Sequence, residues 1–181
     1  MIYYSPKRTD MANKTNKLKV YDETSFVCYL TGDPTANAKI AADQAYTRQW
    51  WNIERERCDV FASKFVVGEC EIGKPDAVAR RKKIVRSLPR VAVDDQIVAT
   101  LSSQLIAGHA LPEKETTDAL HIAAASVAGM DVLLTWNCRH MANLHTLPKT
   151  REIIEKAGYR CPWIMTPKAF LESENLEVQN A

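Results

Sequence analysis

The sequence predicts an α/β fold, a single-domain α/β/α sandwich built around a mainly parallel central sheet. Short apolar runs alternate with longer stretches of helical pattern, an order typical of parallel strands covered by helices on both faces. The chain has 181 residues, of which 46% are hydrophobic and 25% are charged, so it is long enough for one core. No apolar run approaches the roughly 20 residues of a membrane-spanning helix, which argues against a membrane protein.

The apolar segments predicted as strands are short and bounded by polar residues. They are LKVYDE (18–23), DVFAS (59–63), RVAV (90–93), VLLTW (132–136) and PWIM (162–165). The longer segments between them are predicted as helices, at 33–57, 64–73, 76–88, 95–108, 116–129 and 146–158. A last helix is predicted over KAFLE, because Thr166 supplies a hydroxyl N-cap and Pro167 suits the first helical position.

The two ends of the chain are polar and aperiodic. We therefore predict a flexible tail at 1–17, with Met11 as an alternative start, one domain over 18–172 and a second tail at 173–181. The sequence has five cysteines, no C-x-x-C pair and no signal peptide, which favours reduced thiols and a cytoplasmic location. A formal net charge of +2 argues against nonspecific coating of nucleic acid but leaves room for a local basic groove.

Acidic and amide side chains stand where the predicted strands end. Asp22 and Glu23 close the first strand, Glu69 follows the second, Asp118 lies in the first turn of a helix, and Asn137 follows VLLTW. Ligands of parallel sheets bind beyond the carboxyl ends of the strands, so these side chains are candidates for one site.

Each of these acids also has an ordinary interpretation. Asp118 alone indicates a helix-dipole or capping residue, although Thr116 and Thr117 already offer caps. Glu69 alone indicates an exposed helix carboxylate, and Glu23 alone a solvated strand end. Carboxylates that crowd together repel one another unless a cation neutralises them. Oxygen ligands without a His/Cys cluster favour Mg²⁺ or Mn²⁺.

Four stretches carry a resemblance to a known family. They are VYDETSFVCYL, FVVGECEIGKP, TTDALHIAAASVAGMDVLLTWN and NCRHMAN, and the third is the most specific. Over 18–172 the chain resembles the PIN domain of metal-dependent ribonucleases and of the VapC-like toxins of bacterial toxin–antitoxin pairs. The resemblance implies a Mg²⁺- or Mn²⁺-dependent endoribonuclease, in which a metal-activated water hydrolyses RNA. It also implies an antitoxin protein as partner and a homodimer.

The resemblance also assigns roles to single residues. Glu23, Glu69 and Asp118 take the places of the family's metal-binding acids, and Asn137 takes the place of its fourth acid. The family has Asp where this chain has Glu23, a change that keeps the charge. Asn137 loses a charge, which weakens the case for a second metal. Strand alternation points Asp22 away from Glu23, so we expect Asp22 to be a structural neighbour of the site.

Several nearby residues have two open interpretations. Thr24 and Ser25 either orient the carboxylates or cap the helix that follows. His121 is either packed or in contact with the site or its substrate, and Arg139 and His140 either contact phosphate or lie in a solvated loop. The basic run ARRKKIVR (79–86) is either an RNA-backbone patch or the solvated face of a helix. Of Trp50 and Trp51, one is predicted to be core and the other to serve a partner surface or a base stack.

Two other functions fit parts of the sequence. The first is a PIN-like module, weakened by Asn137, that binds RNA, DNA or a protein partner without cleavage. The second is a phosphatase with Asp22 as nucleophile, since D-E-T is similar to D-x-D-x-T, but the second Asp is missing.

Overall fold

The computed structural model describes residues 17–178, with side chains as far as residue 173. The elements follow in the order β1 (Leu18–Asp22), α1 (Thr24–Thr31), α2 (Ala38–Ile53), β2 (Cys58–Phe61), α3 (Lys64–Cys70), α4 (Pro75–Ser87), α5 (Asp95–Ala107), α6 (Thr116–Val127), β3 (Val132–Leu134), α7 (Leu147–Lys156), β4 (Trp163–Met165) and α8 (Pro167–Val178). The predicted α/β/α sandwich is confirmed.

The sheet has the strand order β2-β1-β3-β4, and every neighbouring pair is parallel. Val20 of β1 lies in register with Val60 of β2 and Val132 of β3, so β1 is a central strand of the sheet. Because the strands are parallel, their carboxyl ends lie at one edge, and the residues that follow them lie near one another. Glu23 follows β1 at this edge, and Thr135 follows β3.

Apolar side chains on both faces of the sheet form one core. Val20, Leu133 and Leu134 are fully buried. On one side α2 packs against α8 through Trp50 and Phe170, whose rings meet edge to face at 5.7 Å. Elsewhere α5 packs against α6, whose run of small residues Ala123–Ala125 is fully buried and allows close approach. The prediction of one core tryptophan is confirmed for Trp50.

The predicted third strand, RVAV at 90–93, is wrong. Pairing there is limited to one parallel bridge between Ala62 and Arg90, supported by hydrogen bonds from Ala62 N to Pro89 O and from Val91 N to Ala62 O. Pro89 has no N–H to donate to a ladder, and α5 begins soon afterwards at Asp95. The segment therefore lies beside β2 without extending the sheet.

Helix boundaries differ from the predicted ones at several places. The first long helix begins at Ala38, capped by Asn37, and not at Asp33. The last helix has the predicted cap, with Ala169 N donating to Thr166 Oγ1 at 3.1 Å, but it continues to Val178, beyond the expected end at 172. The rest of the two predicted tails, at 1–16 and 179–181, lies outside the described residues.

Two further observations concern the whole of the described chain. No disulfide is formed among its cysteines. Within residues 17–178, none of the helices combines the length and the apolar character that crossing a bilayer requires.

Candidate metal centre

Glu23 joins β1 to α1 and is held by several donors. Its backbone N–H donates to Leu134 O at 3.1 Å, which ties it to β3. Its Oε2 atom accepts hydrogen bonds from Ser25 N at 3.0 Å, from Ser25 Oγ, and from Thr135 Oγ1 at 2.8 Å. Glu23 as a whole is only 6% exposed. Because Glu23 is itself the N-cap of α1, the interpretation of Thr24 and Ser25 as hydroxyl caps is wrong.

Glu69 lies on α3 and is fixed through one oxygen in the same way. Thr24 Oγ1 donates to Glu69 Oε2, and His121 Nε2 lies 2.8 Å from the same oxygen. Burial raises the pKa of Glu69, but the hydrogen bonds from His121 and Thr24 outweigh burial and hold the pKa below its ordinary value. Glu69 is therefore a carboxylate at neutral pH.

His121 is the centre of a buried hydrogen-bonded chain. Its Nδ1 atom lies 2.7 Å from Tyr21 Oη, and Tyr21 Oη lies 2.6 Å from Ser63 Oγ. Since Glu69 is a carboxylate and can only accept, His121 Nε2 donates to it. In neutral His121, Nδ1 then accepts from Tyr21, and the Tyr21 oxygen accepts from Ser63. Ser63 Oγ in turn accepts from Phe65 N at 3.1 Å, as the N-cap of α3.

Asp118 lies in the first turn of α6 beside Asn137. Asn137 Nδ2 donates to Asp118 Oδ2 at 2.7 Å. Burial raises the pKa of Asp118 to about 6, and the charges of Glu23 and Glu115 act in the same direction. The interpretation of Asp118 as a capping residue is not supported, because its hydrogen bond is to a side chain of another element.

The hydroxyl caps that the sequence offered for α6, Thr116 and Thr117, make no capping hydrogen bond among the described contacts. The N-cap residue of α6 is Glu115, whose side chain makes no capping hydrogen bond, and the helix begins at Thr116. Thr116 Oγ1 donates back to Glu113 O at 3.3 Å. Thr116 therefore satisfies a carbonyl of the preceding loop and none of the amides of the first turn.

One pattern is common to the acids Glu23, Glu69 and Asp118. Each has one carboxylate oxygen held by protein donors, while the other oxygen has no hydrogen bond from any described residue. Glu23, Glu69 and His121 can offer ligand atoms that all lie within 4.8 Å of one another. Fixed carboxylates with free oxygens suit a hard divalent cation such as Mg²⁺ or Mn²⁺.

His121 fits a role as metal ligand less well than the carboxylates do. Its Nε2 atom is occupied by Glu69 and its Nδ1 atom by Tyr21, so binding a metal would break one of these hydrogen bonds. The side chain is fully buried. We interpret His121 as a residue that holds Glu69 in place. It is therefore both packed in the core and in contact with the site, the two interpretations that the sequence left open.

The structure places Asp22 apart from the hydrogen bonds of the centre. Asp22 is fully buried in register with Leu134, and neither of its carboxylate oxygens has a hydrogen-bond partner among the described residues. Burial raises its pKa well above the ordinary value, although the charge of Arg55 opposes the shift.

Arg139 and His140 do not contact the three carboxylates. Arg139 is exposed, and its backbone oxygen accepts from Asn143 Nδ2 at 2.7 Å. His140 N donates to Asn137 Oδ1 at 3.1 Å, and His140 Nε2 lies 3.4 Å from Glu115 Oε1. His140 therefore supports the amide that holds Asp118.

The basic run of α4 makes contacts within the chain. Arg80 pairs with Asp33 at 2.8 Å, and Lys82 pairs with Glu71 at 2.7 Å. Arg81 donates to Ile72 O at 2.6 Å. These contacts favour a structural role for the basic residues of 79–86 over a role as an RNA-backbone patch.

Sequence reasoning missed three residues that support the centre. Tyr21 forms a hydrogen bond with His121, Ser63 forms one with Tyr21, and Thr135 forms one with Glu23. Two signals could have found them. Tyr21 is two residues before Glu23, and a hydroxyl residue follows both β2 and β3 near the carboxyl edge.

The comparisons with known proteins do not identify a family. No protein-family model matches the sequence, and no curated protein matches it. The assignment of a function therefore depends on the site itself and on the motifs quoted above.

Proposed function

We propose that the chain is a Mg²⁺- or Mn²⁺-dependent ribonuclease of PIN type that hydrolyses RNA phosphodiester bonds. The observation that carries the proposal is the shared pattern of Glu23, Glu69 and Asp118. Each carboxylate is fixed through one oxygen and keeps the other free, at the carboxyl edge of a parallel sheet. Such an arrangement is costly unless a cation binds there.

Glu23, Glu69 and Asp118 would hold the metal ion. When bound, the ion supplies the chemistry of this class, lowering the pKa of a water and stabilising charge on the phosphate. The protein keeps the ligands in place: Ser25 and Thr135 hold Glu23, and Thr24 and His121 hold Glu69. These donors reduce the reorganisation that metal binding and reaction would otherwise require.

Asn137 has a positioning role in this proposal. Its amide nitrogen donates to Asp118, and its amide oxygen accepts from His140 N, so both ends of the amide are engaged. An aspartate at 137 would add a fourth negative charge to the centre. Because the side chain at 137 is a neutral amide, we propose that the site binds one metal ion.

The biological context is a proposal that rests on the resemblance alone. It comprises the toxin of a toxin–antitoxin pair, an antitoxin protein as partner, a homodimer and a cytoplasmic location. A small antitoxin gene beside the gene for this chain is the expected observation.

The first test is RNA cleavage by the purified protein with Mn²⁺, with and without EDTA. We expect the wild type to cleave labelled RNA, EDTA to abolish cleavage, and Asp118→Asn to lower the rate by at least about a hundredfold, because it removes a ligand charge. Glu113→Gln is the matched control, since Glu113 is an exposed acid just before the same helix. Circular dichroism verifies that each variant is folded.

Cleavage by Asp118→Asn at the wild-type rate would contradict the proposal, as would cleavage that resists EDTA. RNA that is bound but not cut by the wild type would favour the alternative of a binding module.

A further inference from the structure

Tyr29 of α1 and Trp136 form a stacked aromatic pair. Their ring centroids lie 5.5 Å apart and their planes differ by 21°. Both side chains are only half-buried. Stacking covers the face that each ring turns to the other, so whatever part of each ring stays exposed lies outside that contact.

Trp136 is held firmly in this position. Its backbone N–H donates to Ser25 Oγ at 2.8 Å, and its indole Nε1–H donates to Thr47 Oγ1 at 2.8 Å. The ring is therefore tied to α1 through the backbone and to α2 through its own nitrogen. A ring fixed in this way loses little conformational entropy when a ligand stacks on it.

The position of Trp136 in the chain places the pair beside the candidate metal centre. The preceding residue, Thr135, donates to Glu23, and the following residue, Asn137, donates to Asp118. Ser25, which accepts from the Trp136 backbone, also donates to Glu23. Trp136 thus lies between two of the residues that fix the carboxylates.

Cationic side chains accompany the aromatic pair. Lys39 is exposed, pairs with Asp43 at 3.1 Å, and is close enough to Tyr29 and Cys138 for electrostatic interaction with both. Arg139 is exposed three residues after Trp136. Aromatic rings beside Lys and Arg form the combination that binds single-stranded nucleic acid, through base stacking and phosphate contacts.

We propose that Tyr29 and Trp136 form a stacking platform for an unpaired nucleobase next to the phosphodiester that is cut. This inference rests on the proposed ribonuclease function. In a duplex the faces of the bases are covered by their neighbours, and only an unpaired base can leave the stack to meet the rings. Stacking tolerates any base, so the platform selects for strandedness and not for sequence.

The test measures RNA binding in EDTA, which prevents metal-dependent cleavage. Labelled single-stranded octanucleotides are compared with versions that carry one abasic nucleotide at each position in turn, and with the same sequence as a duplex. We expect the wild type to bind the duplex at least about tenfold more weakly. One abasic position should weaken binding about tenfold, because stacking on an aromatic ring is lost.

The variants then connect this base to the platform. Trp136→Leu should bind the intact octanucleotide about tenfold more weakly and should no longer distinguish it from the critical abasic version. Trp136→Phe should keep most of the difference, because it keeps an aromatic face. Trp51→Leu is the matched control and also tests the base stack that the sequence predicted for the tryptophan outside the core. Trp51 is half-buried as well, but its ring contacts Phe26 and Arg55, so we expect this variant to keep the base dependence.

Two results would overturn the platform. The first is that the wild-type protein binds every abasic octanucleotide with the same affinity, a result that needs no variant. The second is that Trp136→Leu keeps the base dependence of the wild type. EDTA-sensitive cleavage without any base dependence would reject the platform and leave the ribonuclease. Base-dependent binding without cleavage would reject the ribonuclease and leave the platform.

Discussion

Glu23 serves the backbone and the candidate centre at once. It directly follows β1, caps α1 through the hydrogen bond from Ser25 N, and keeps one carboxylate oxygen free of hydrogen bonds from the described residues. Asp22, one residue earlier, is buried without a hydrogen-bond partner among those residues. Adjacent residues of a strand point to opposite faces, so two neighbouring acids meet opposite environments.

This contrast gives a prediction for metal binding. Glu23→Gln should weaken Mn²⁺ binding by at least about tenfold, because it removes a charge from an oxygen ligand set. Asp22→Asn should change the affinity less than about twofold. Isothermal titration calorimetry with Mn²⁺ measures both. A larger loss in Asp22→Asn than in Glu23→Gln would place the metal on the other acid.

Among the secondary-structure elements, α1, α3 and α6 each bring one part of the centre to the carboxyl edge of the sheet. Ser63 shows how this is done, since it caps α3 through Phe65 N and also binds Tyr21, which reaches His121 on α6. Helix capping and support of Glu69 are therefore parts of one hydrogen-bonded chain. A chain whose members are all satisfied holds its elements in one arrangement.

Loss of the Ser63 hydroxyl should therefore affect both stability and the site. Ser63→Ala should lower the free energy of unfolding by about 1–3 kcal/mol, through the lost cap and the lost hydrogen bond to the buried Tyr21 oxygen. It should also weaken Mn²⁺ binding, because Glu69 loses part of its support. Urea unfolding and calorimetry measure the two effects.

Ser103→Ala is the control for this experiment. Ser103 is exposed in the middle of α5 and donates only to Ala99 O, so its loss should change the free energy of unfolding by less than about 0.5 kcal/mol. If Ser63→Ala were as mild as this control, the buried chain would not couple α3 to the sheet.

At the scale of the whole molecule, stability should depend on pH through Asp22. Its folded-state pKa is raised well above the ordinary value by burial, so the folded state binds its proton more tightly than the unfolded state does. The free energy of unfolding therefore falls as pH rises above the unfolded pKa of about 3.9, and continues to fall up to the raised folded pKa.

Asp22→Asn removes this dependence. We expect the variant to gain stability relative to the wild type as pH rises from about 4.5 to about 7.5, because the amide has no proton to lose. Urea unfolding in EDTA at both pH values measures the difference. A stability difference that stays constant, or shrinks as pH rises, would contradict a raised pKa for Asp22.

Local patterns in the sequence were enough for four of the five predicted strands, for most helices and for the candidate acids. Alternation and strand-end position separate Glu23 from Asp22, and the Thr166-Pro167 pair places the start of α8. These features depend on residues close together in the chain, where periodicity and capping rules apply directly. The prediction of a strand at RVAV failed because strand formation there depends on pairing with a segment distant in the chain. Only one bridge, to Ala62, forms.

Only the tertiary structure decided which groups hold the carboxylates. Tyr21 meets Ser63 across 42 residues and His121 across 100, and Thr135 reaches Glu23 across 112. No local pattern encodes such pairs, because they depend on the order of strands in the sheet and on the packing of α3 and α6. The sequence by itself determined the α/β class and the acids at the strand ends. Parallel pairing placed Thr135 beside Glu23, and the packing of α3 and α6 brought ligand atoms of Glu69 and His121 within 4.8 Å of one on Glu23.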